Sequence, residues 1–208
     1  LAAHFLSNCK QAYLHWGSQY KVRQFDEKHS DLASTYTQSN TICSLDKNTL
    51  IAVHEVMSKE QDIVATAEGL LRVLMSASNA DALCLITKDE QEQELVYRLI
   101  ATDSGATNFE GPIPLDQLSV DDIEQSVFQQ ISQTRTSLLS EDATADVALS
   151  DDPYLQTQSV KSLAAVPFFN KGAYKGLISL STTKYRYLFS EQHIELLTLL
   201  VSQASFSI

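Results

Sequence analysis

The 208-residue chain carries 26 acidic residues against 15 lysines and arginines, a net charge of −11, with 44% hydrophobic and 20% charged residues. That suits one full globular domain plus an attached segment. It excludes a nucleic-acid interface, which needs clustered basic residues, and no apolar run approaches the ~18 residues of a membrane span.

Residues 1–37 read as a helical region in which Phe5, Tyr13, Trp16, Tyr20 and Phe25 recur at roughly helical intervals, bent or broken at Gly17. The polar, aperiodic stretch 38–48 reads as a linker, and residues 49–208 as the main domain. Asn48 or Thr49 can cap a helix carrying Leu50, Val53, His54 and Met57. Asp62 can cap a second helix to about Ser78, with the stripe Ile63, Ala67, Leu70, Leu71 and Leu74. Strands are expected over 82–87 and 94–102, separated by an acidic turn.

Residues 103–118 hold Gly105, Gly111, Pro112 and Pro114 and read as irregular. Ser119 can cap a helix with Asp121 and Asp122 at its positive end and Ile123, Val127 and Ile131 on its apolar face. A short strand over 137–139 leads into a long polar loop, 140–158, of the kind that forms a lid or stays disordered. Two buried strands, 162–170 and 174–182, follow, joined by the turn Lys171-Gly172-Ala173. An amphipathic helix runs from Ser190 to the end. This order implies an α+β fold, an antiparallel sheet with helices on both faces, preceded by a short all-helical segment.

In the final helix Ile194, Leu197, Val201, Ala204 and Ile208 stand at spacings of a heptad seam. Leu196, Leu199, Leu200 and Phe206 widen the apolar surface. The helix is expected both to pack on the sheet and to pair with a second subunit as a homodimer contact.

Catalytic patterns are missing. There is no G-x-S-x-G, Walker A, G-x-G-x-x-G or H-E-x-x-H, and His4, His15, His29, His54 and His193 have no metal-face spacing. The segment is expected to be no enzyme and to carry no metal or cofactor. Cys9, Cys43 and Cys84 are sparse and unpaired in pattern, which fits a reducing compartment, and Cys84 between Leu83 and Leu85 reads as a buried thiol. Adjacent Asp151 and Asp152 lack fixed geometry for acid–base work, and Asp152-Pro153-Tyr154 reads as a turn that folds Tyr154 back. Ser179, Ser181 and Thr183 alternate against Ile178 and Leu180, and Arg98 lies opposite Tyr97 and Leu99. With Tyr154 these make a candidate small-molecule pocket of Arg98, Tyr154, Ser179, Ser181 and Thr183. The alternative is that helix 120–135 fills the space and the hydroxyls bond to backbone. The chain opens on Leu1 and ends at Ile208 within a helical pattern, so it is expected to be a piece of a larger cytoplasmic protein.

Three segments resemble the GAF sensor domain of large hybrid histidine kinases. Tyr13-Leu-His-Trp-Gly-Ser-Gln-Tyr-Lys-Val22 is similar to the end of the helical region that precedes that domain. Thr134-Arg135 with Leu138, Leu139, Asp142, Ala143 and Thr144 resembles a helix-exit pattern, R-T-x-x-x-V-V-L-x-D-A. Asp152-Pro153-Tyr154, Lys161-Ser162, Pro167, Asn170, Gly172 and Gly176, then Phe189-Ser190 and Ser202-Gln203-Ala204, follow the family's later motifs. Departures are Val160 for Pro, and Ser179 and Ser181 for the Tyr and Glu of Y-L-E-N. Thr183 for Asn and His193-Ile194 for Asp-Glu break the cyclic-nucleotide signature, and no cysteine follows Cys84 for a bilin or for the reductase cysteine set.

The resemblance implies a serine/threonine-kinase-like domain, an AAA-type ATPase and a helical region upstream. It implies a histidine kinase domain downstream, and receiver domains in fungal members. It implies a sensor module that couples a small-molecule or stress signal to a phosphorelay through its C-terminal helix, within a protein that as a whole is an ATP-dependent phosphotransferase. A ligand-free dimerisation spacer and a GAF-type methionine sulfoxide reductase are the alternatives.

Overall fold

Near-continuous apolar runs over 83–86, 95–100, 163–169 and 177–180 build the middle of the fold, because a strand with both faces covered needs apolar side chains on each. The computed structural model describes residues 47–59, 62–102 and 104–203. Helices α1 (Lys47–Lys59) and α2 (Ile63–Ser78) precede strands β1 (Ala82–Lys88), β2 (Glu94–Ala101) and β3 (Thr107–Pro114). A 3₁₀ turn at Leu115–Gln117, helix α3 (Gln125–Thr134), strand β4 (Leu138–Ser140) and the short helix α4 (Pro153–Thr157) come next. Strands β5 (Ser162–Asn170) and β6 (Ala173–Thr182) and helix α5 (Glu191–Gln203) close the order. The expected region 1–37 and most of the linker 38–48 lie outside the described residues, and Lys47 and Asn48 already belong to α1.

All six strands join one antiparallel sheet in the order β3-β2-β1-β6-β5-β4, the α+β architecture expected. Register sorts the side chains into rows. Arg98 faces Cys84, Cys84 faces Ser179, Ser179 faces Ala165 and Ala165 faces Leu138, one row across five strands. The next row is Ile100, Ala82, Ser181, Leu163 and Ser140. We call this the inner face; its apolar residues join Ile123, Val127 and Ile131 at α3 and Leu149, Tyr154 and Leu155 of the following loop in one core. The opposite rows, among them Tyr97, Leu85, Ile178 and Val166, form the outer face, against which α2 and α5 pack.

Helix α2 follows its sequence signals closely. Asp62 accepts the Ala65 N–H, Asn79 ends the helix at φ 53°, and Ala67, Leu70, Leu71 and Leu74 are buried. In α1, Val53 is buried but His54, expected on the same stripe, faces solvent. The β5–β6 hairpin turns through Lys171 and Gly172, both at positive φ, as a two-residue type I′ connection requires.

Three expectations need correction. Residues 107–114, read as irregular, form edge strand β3, where prolines are tolerated because one backbone edge needs no partner. A Cβ on Gly111 would lie 2.7 Å from the Val96 carbonyl oxygen, so close strand approach, beside the register shift at Val96/Arg98, requires glycine there. Helix α3 starts at Gln125, not at Ser119, whose N–H and hydroxyl both donate to Asp122 Oδ2 in a turn. The stretch 140–158 is ordered: it buries Ala143, Leu149, Tyr154 and Leu155 and contains α4, with Asp152 as N-cap and proline in its first turn.

Candidate functional site

Helix α3 is capped from a distance. Its own N-cap residue, Glu124, makes no side-chain cap bond. Instead Asp152 Oδ2 accepts the Ser126 N–H at 2.8 Å and the Ser126 hydroxyl at 2.6 Å, while Oδ1 accepts the Leu155 N–H at 3.1 Å. One carboxylate therefore caps two helices and pins the loop to α3. Glu124 is left free to turn its side chain inward.

That side chain enters the inner face. Glu124 is 6% exposed, with Oε1 3.4 Å from the Ser181 hydroxyl and Oε2 3.5 Å from the Ser179 hydroxyl. Burial raises the affinity of the carboxyl for its proton, and the nearby charge of Asp152 adds to this; its own backbone N–H and the two serines oppose it only in part. Cys84, next to Ser179 in the row, has its thiol pushed far up by burial and by Glu124, so it is no thiolate nucleophile. Tyr154 sits in the same core, and burial, with Glu124 and Cys84, raises its phenol.

Arg98 borders this group. Its side chain is 14% exposed; Nη2 donates to Glu110 Oε2 at 2.5 Å and Nη1 to the Asp122 carbonyl at 2.6 Å, while buried Nε has no partner. The guanidinium thus ties β2 to the edge strand and to the turn leading into α3.

The structure brings together four of the five expected pocket residues, Arg98, Tyr154, Ser179 and Ser181, around the unexpected Glu124. Thr183 falls elsewhere. Its N–H and hydroxyl donate to Asp81 Oδ2 at 2.7 and 2.8 Å, joined by the hydroxyl of Thr182, a residue whose register places it on the outer face. The chain has left β6 at that point, so the strand alternation no longer applies. Glu124 had a readable signal: with Val127 and Ile131 it stands at 3- and 4-residue spacing, a carboxylate on an otherwise apolar stripe. Asp151 is exposed and Asp152 is spent on capping, so the two do not act as a pair.

The final helix lies on the sheet with its seam residues turned toward it. Ile194, Leu197 and Val201 are buried within this chain, as is Leu200, and the helix packs on β5. Leu199, at 45% exposed, lies outside that contact. Ala204 and Ile208 lie outside the described residues. At the helix start the Ser190 N–H donates to His193 Nδ1 at 2.9 Å, one half of a capping box with histidine in place of Glu, and burial lowers the imidazole's proton affinity.

Among the described residues no group of three or more His, Cys, Asp or Glu could hold a metal ion, and no helix is long and apolar enough to cross a membrane. Residues 60–208 match the family model of the GAF domain. A hybrid signal transduction histidine kinase G of Dictyostelium discoideum is 29% identical over 82 residues, 39% of this chain and 2% of that protein's length. The GAF domain of an Acinetobacter phosphoenolpyruvate-protein phosphotransferase has the same fold at a TM-score of 0.55 and 16% identity, covering 76% of this chain and 89% of that one. A free methionine-R-sulfoxide reductase from Neisseria meningitidis, solved with its substrate, has it at 0.53 and 18% identity, covering 76% and 85%.

Proposed function

The chain belongs to the GAF domain family, and from that premise we propose that it is a cytoplasmic sensor module of a hybrid histidine kinase. A small-molecule or stress signal is read on the inner face and passed through α5 to a downstream kinase domain and its phosphorelay. The observation that supports this reading is the group formed by Glu124, Ser179 and Ser181, polar side chains buried between β6 and the start of α3. A purely structural spacer would gain more from apolar residues there, because a buried carboxyl without strong partners costs stability.

Strand β6 supplies the route. Ser179 and Ser181 project from one side of it, and Ile178 and Leu180 from the other, on the face where α5 packs against the neighbouring strand β5. A ligand that binds better to one arrangement of β6 and α3 shifts the population of α5 positions by that difference in affinity. The module itself carries no chemistry in this account; phosphate transfer belongs to the domains it regulates.

The test is a hybrid kinase carrying this module, with autophosphorylation measured for the wild type and for Ser179→Val, which keeps strand preference but removes the hydroxyl. A sensor requires altered output from a variant of unchanged melting temperature. Equal output from both would assign the module to a spacer role.

A further inference from the structure

Three carboxyl groups are buried in the described domain, and they make an internal comparison. Asp81, 8% exposed, takes hydrogen bonds at 2.7, 2.8 and 3.1 Å and an ion pair with Lys184 at 3.0 Å. Asp152, 3% exposed, takes bonds at 2.6, 2.8 and 3.1 Å. Both are saturated. Glu124 is as deeply buried, yet its two hydroxyl neighbours stand at 3.4 and 3.5 Å, beyond the ~2.5–3.0 Å of a normal O–H···O bond. Its remaining donor is its own backbone N–H. Arg98, in the same row of the sheet as Ser179, is committed to Glu110 and to the Asp122 carbonyl.

The floor beneath Glu124 is made mostly of small side chains. Ala82, Cys84, Ala165, Ser179 and Ser181 fill five of the six positions in two rows of the three strands β1, β6 and β5, and Leu163 fills the sixth. Resting on the sensor reading given above, we infer that Glu124, Ser179 and Ser181 form the recognition site for a small primary amine, a ligand that ends in an ammonium group. An ammonium carries three N–H donors, and the site offers three acceptors, one carboxylate and two hydroxyl oxygens. Its charge meets the one buried carboxylate, among the described residues, that has only long hydroxyl bonds and its own backbone N–H for partners. A divalent metal is a poorer match, since a hard cation needs six or more oxygen ligands and no group of three or more His, Cys, Asp or Glu among the described residues could hold one.

The experiment uses the full chain and follows its melting temperature against methylammonium, ethanolamine and putrescine. Tetramethylammonium, which has the charge but no N–H, and acetate serve as controls at equal ionic strength. The primary amines are expected to raise the melting temperature in a saturable way, by several degrees at saturation, with neither control doing so. Glu124→Gln should abolish the rise, and Ser179→Ala and Ser181→Ala should each shift its midpoint to at least several-fold higher amine concentration. Should Glu124→Gln unfold, the two serine variants carry the test alone. An equal rise with tetramethylammonium, or a rise retained when Glu124 or both serines are replaced, overturns the inference. So does a flat response to all amines. A rise caused instead by anionic or neutral compounds and lost in Ser179→Ala overturns the amine assignment while leaving the sensor reading intact.

Discussion

Asp152 holds Ser126 across 26 positions of sequence, with its Oδ2 accepting both the backbone N–H and the hydroxyl of that residue. The bond does for α3 what the helix's own N-cap residue does not, and it fixes the loop over the inner face. Asp152→Ala removes three hydrogen bonds and leaves the buried Leu155 N–H and the half-buried Ser126 N–H without acceptors. It should cost about 3 kcal/mol of unfolding free energy in urea titration, with Asp152→Asn recovering part of the loss. A loss below about 0.5 kcal/mol would show that the loop is held by its apolar residues alone.

Gly176 sits at φ 154° where β6 passes β1, and a Cβ there would lie 1.9 Å from the Ile86 carbonyl oxygen. Gly176→Ala must push the two strands apart and should cost about 3 kcal/mol or more. Gly172, in the hairpin turn, has nothing within 4 Å of that position. Gly172→Ala meets only the positive-φ strain and should cost about 1 kcal/mol. Thermal melts of both variants side by side check the ordering.

Two buried acids give opposite pH signatures. Asp81 is held below its usual 3.8, burial being outweighed by the bonds from Lys184, Thr183 and Thr182. A depressed carboxyl contributes stability that is present above 3.8 and lost as pH falls through the folded-state value. Glu124 is raised above its usual 4.5, chiefly by burial. Here the folded state binds the extra proton, so stability falls as pH rises from 4.5 through the folded-state value, then levels off. Glu124→Gln should therefore gain on the wild type with rising pH across that window, and Asp81→Asn should lose its disadvantage as pH drops below 3.8. Urea titrations at a series of pH values read both slopes.

The inward face of α5 separates packing from association. Leu197 is fully buried and Leu199 is exposed. Leu197→Ala should destabilise the chain by about 3 kcal/mol, as core truncations do, whereas Leu199→Ala should change it by under about 0.5 kcal/mol. If Leu197 instead supported a subunit contact, its substitution would shift the sedimentation coefficient without this loss of stability.

The α+β layering and the β5–β6 hairpin are legible because β-rich apolar runs flank a glycine turn, although the turn is one residue shorter than the expected Lys171-Gly172-Ala173, with Ala173 already paired to Asn170. The edge strand β3 was not, since Gly111 and Pro112 read as breakers in a window and become tolerable only at a sheet edge. The seam Ile194, Leu197 and Val201 was visible as a stripe, but spacing does not say whether a helix stripe meets its own sheet or another chain. Arg98, Ser179 and Ser181 were found through strand alternation, a local rule. Glu124 shows in the sequence only as a carboxylate on an apolar stripe; its place in the site depends on Asp152 taking over the cap of α3, a contact between residues far apart in sequence.

Signalling from the inner face requires that it be coupled to α5 through β6. Amide hydrogen exchange of the full chain, wild type against Ser179→Val, measures this most directly. Protection is expected to change in α5 (Glu191–Gln203), on the opposite side of the sheet from the substitution, as well as in β6. Changes confined to β6 and α3, with α5 exchanging as in the wild type, would contradict it.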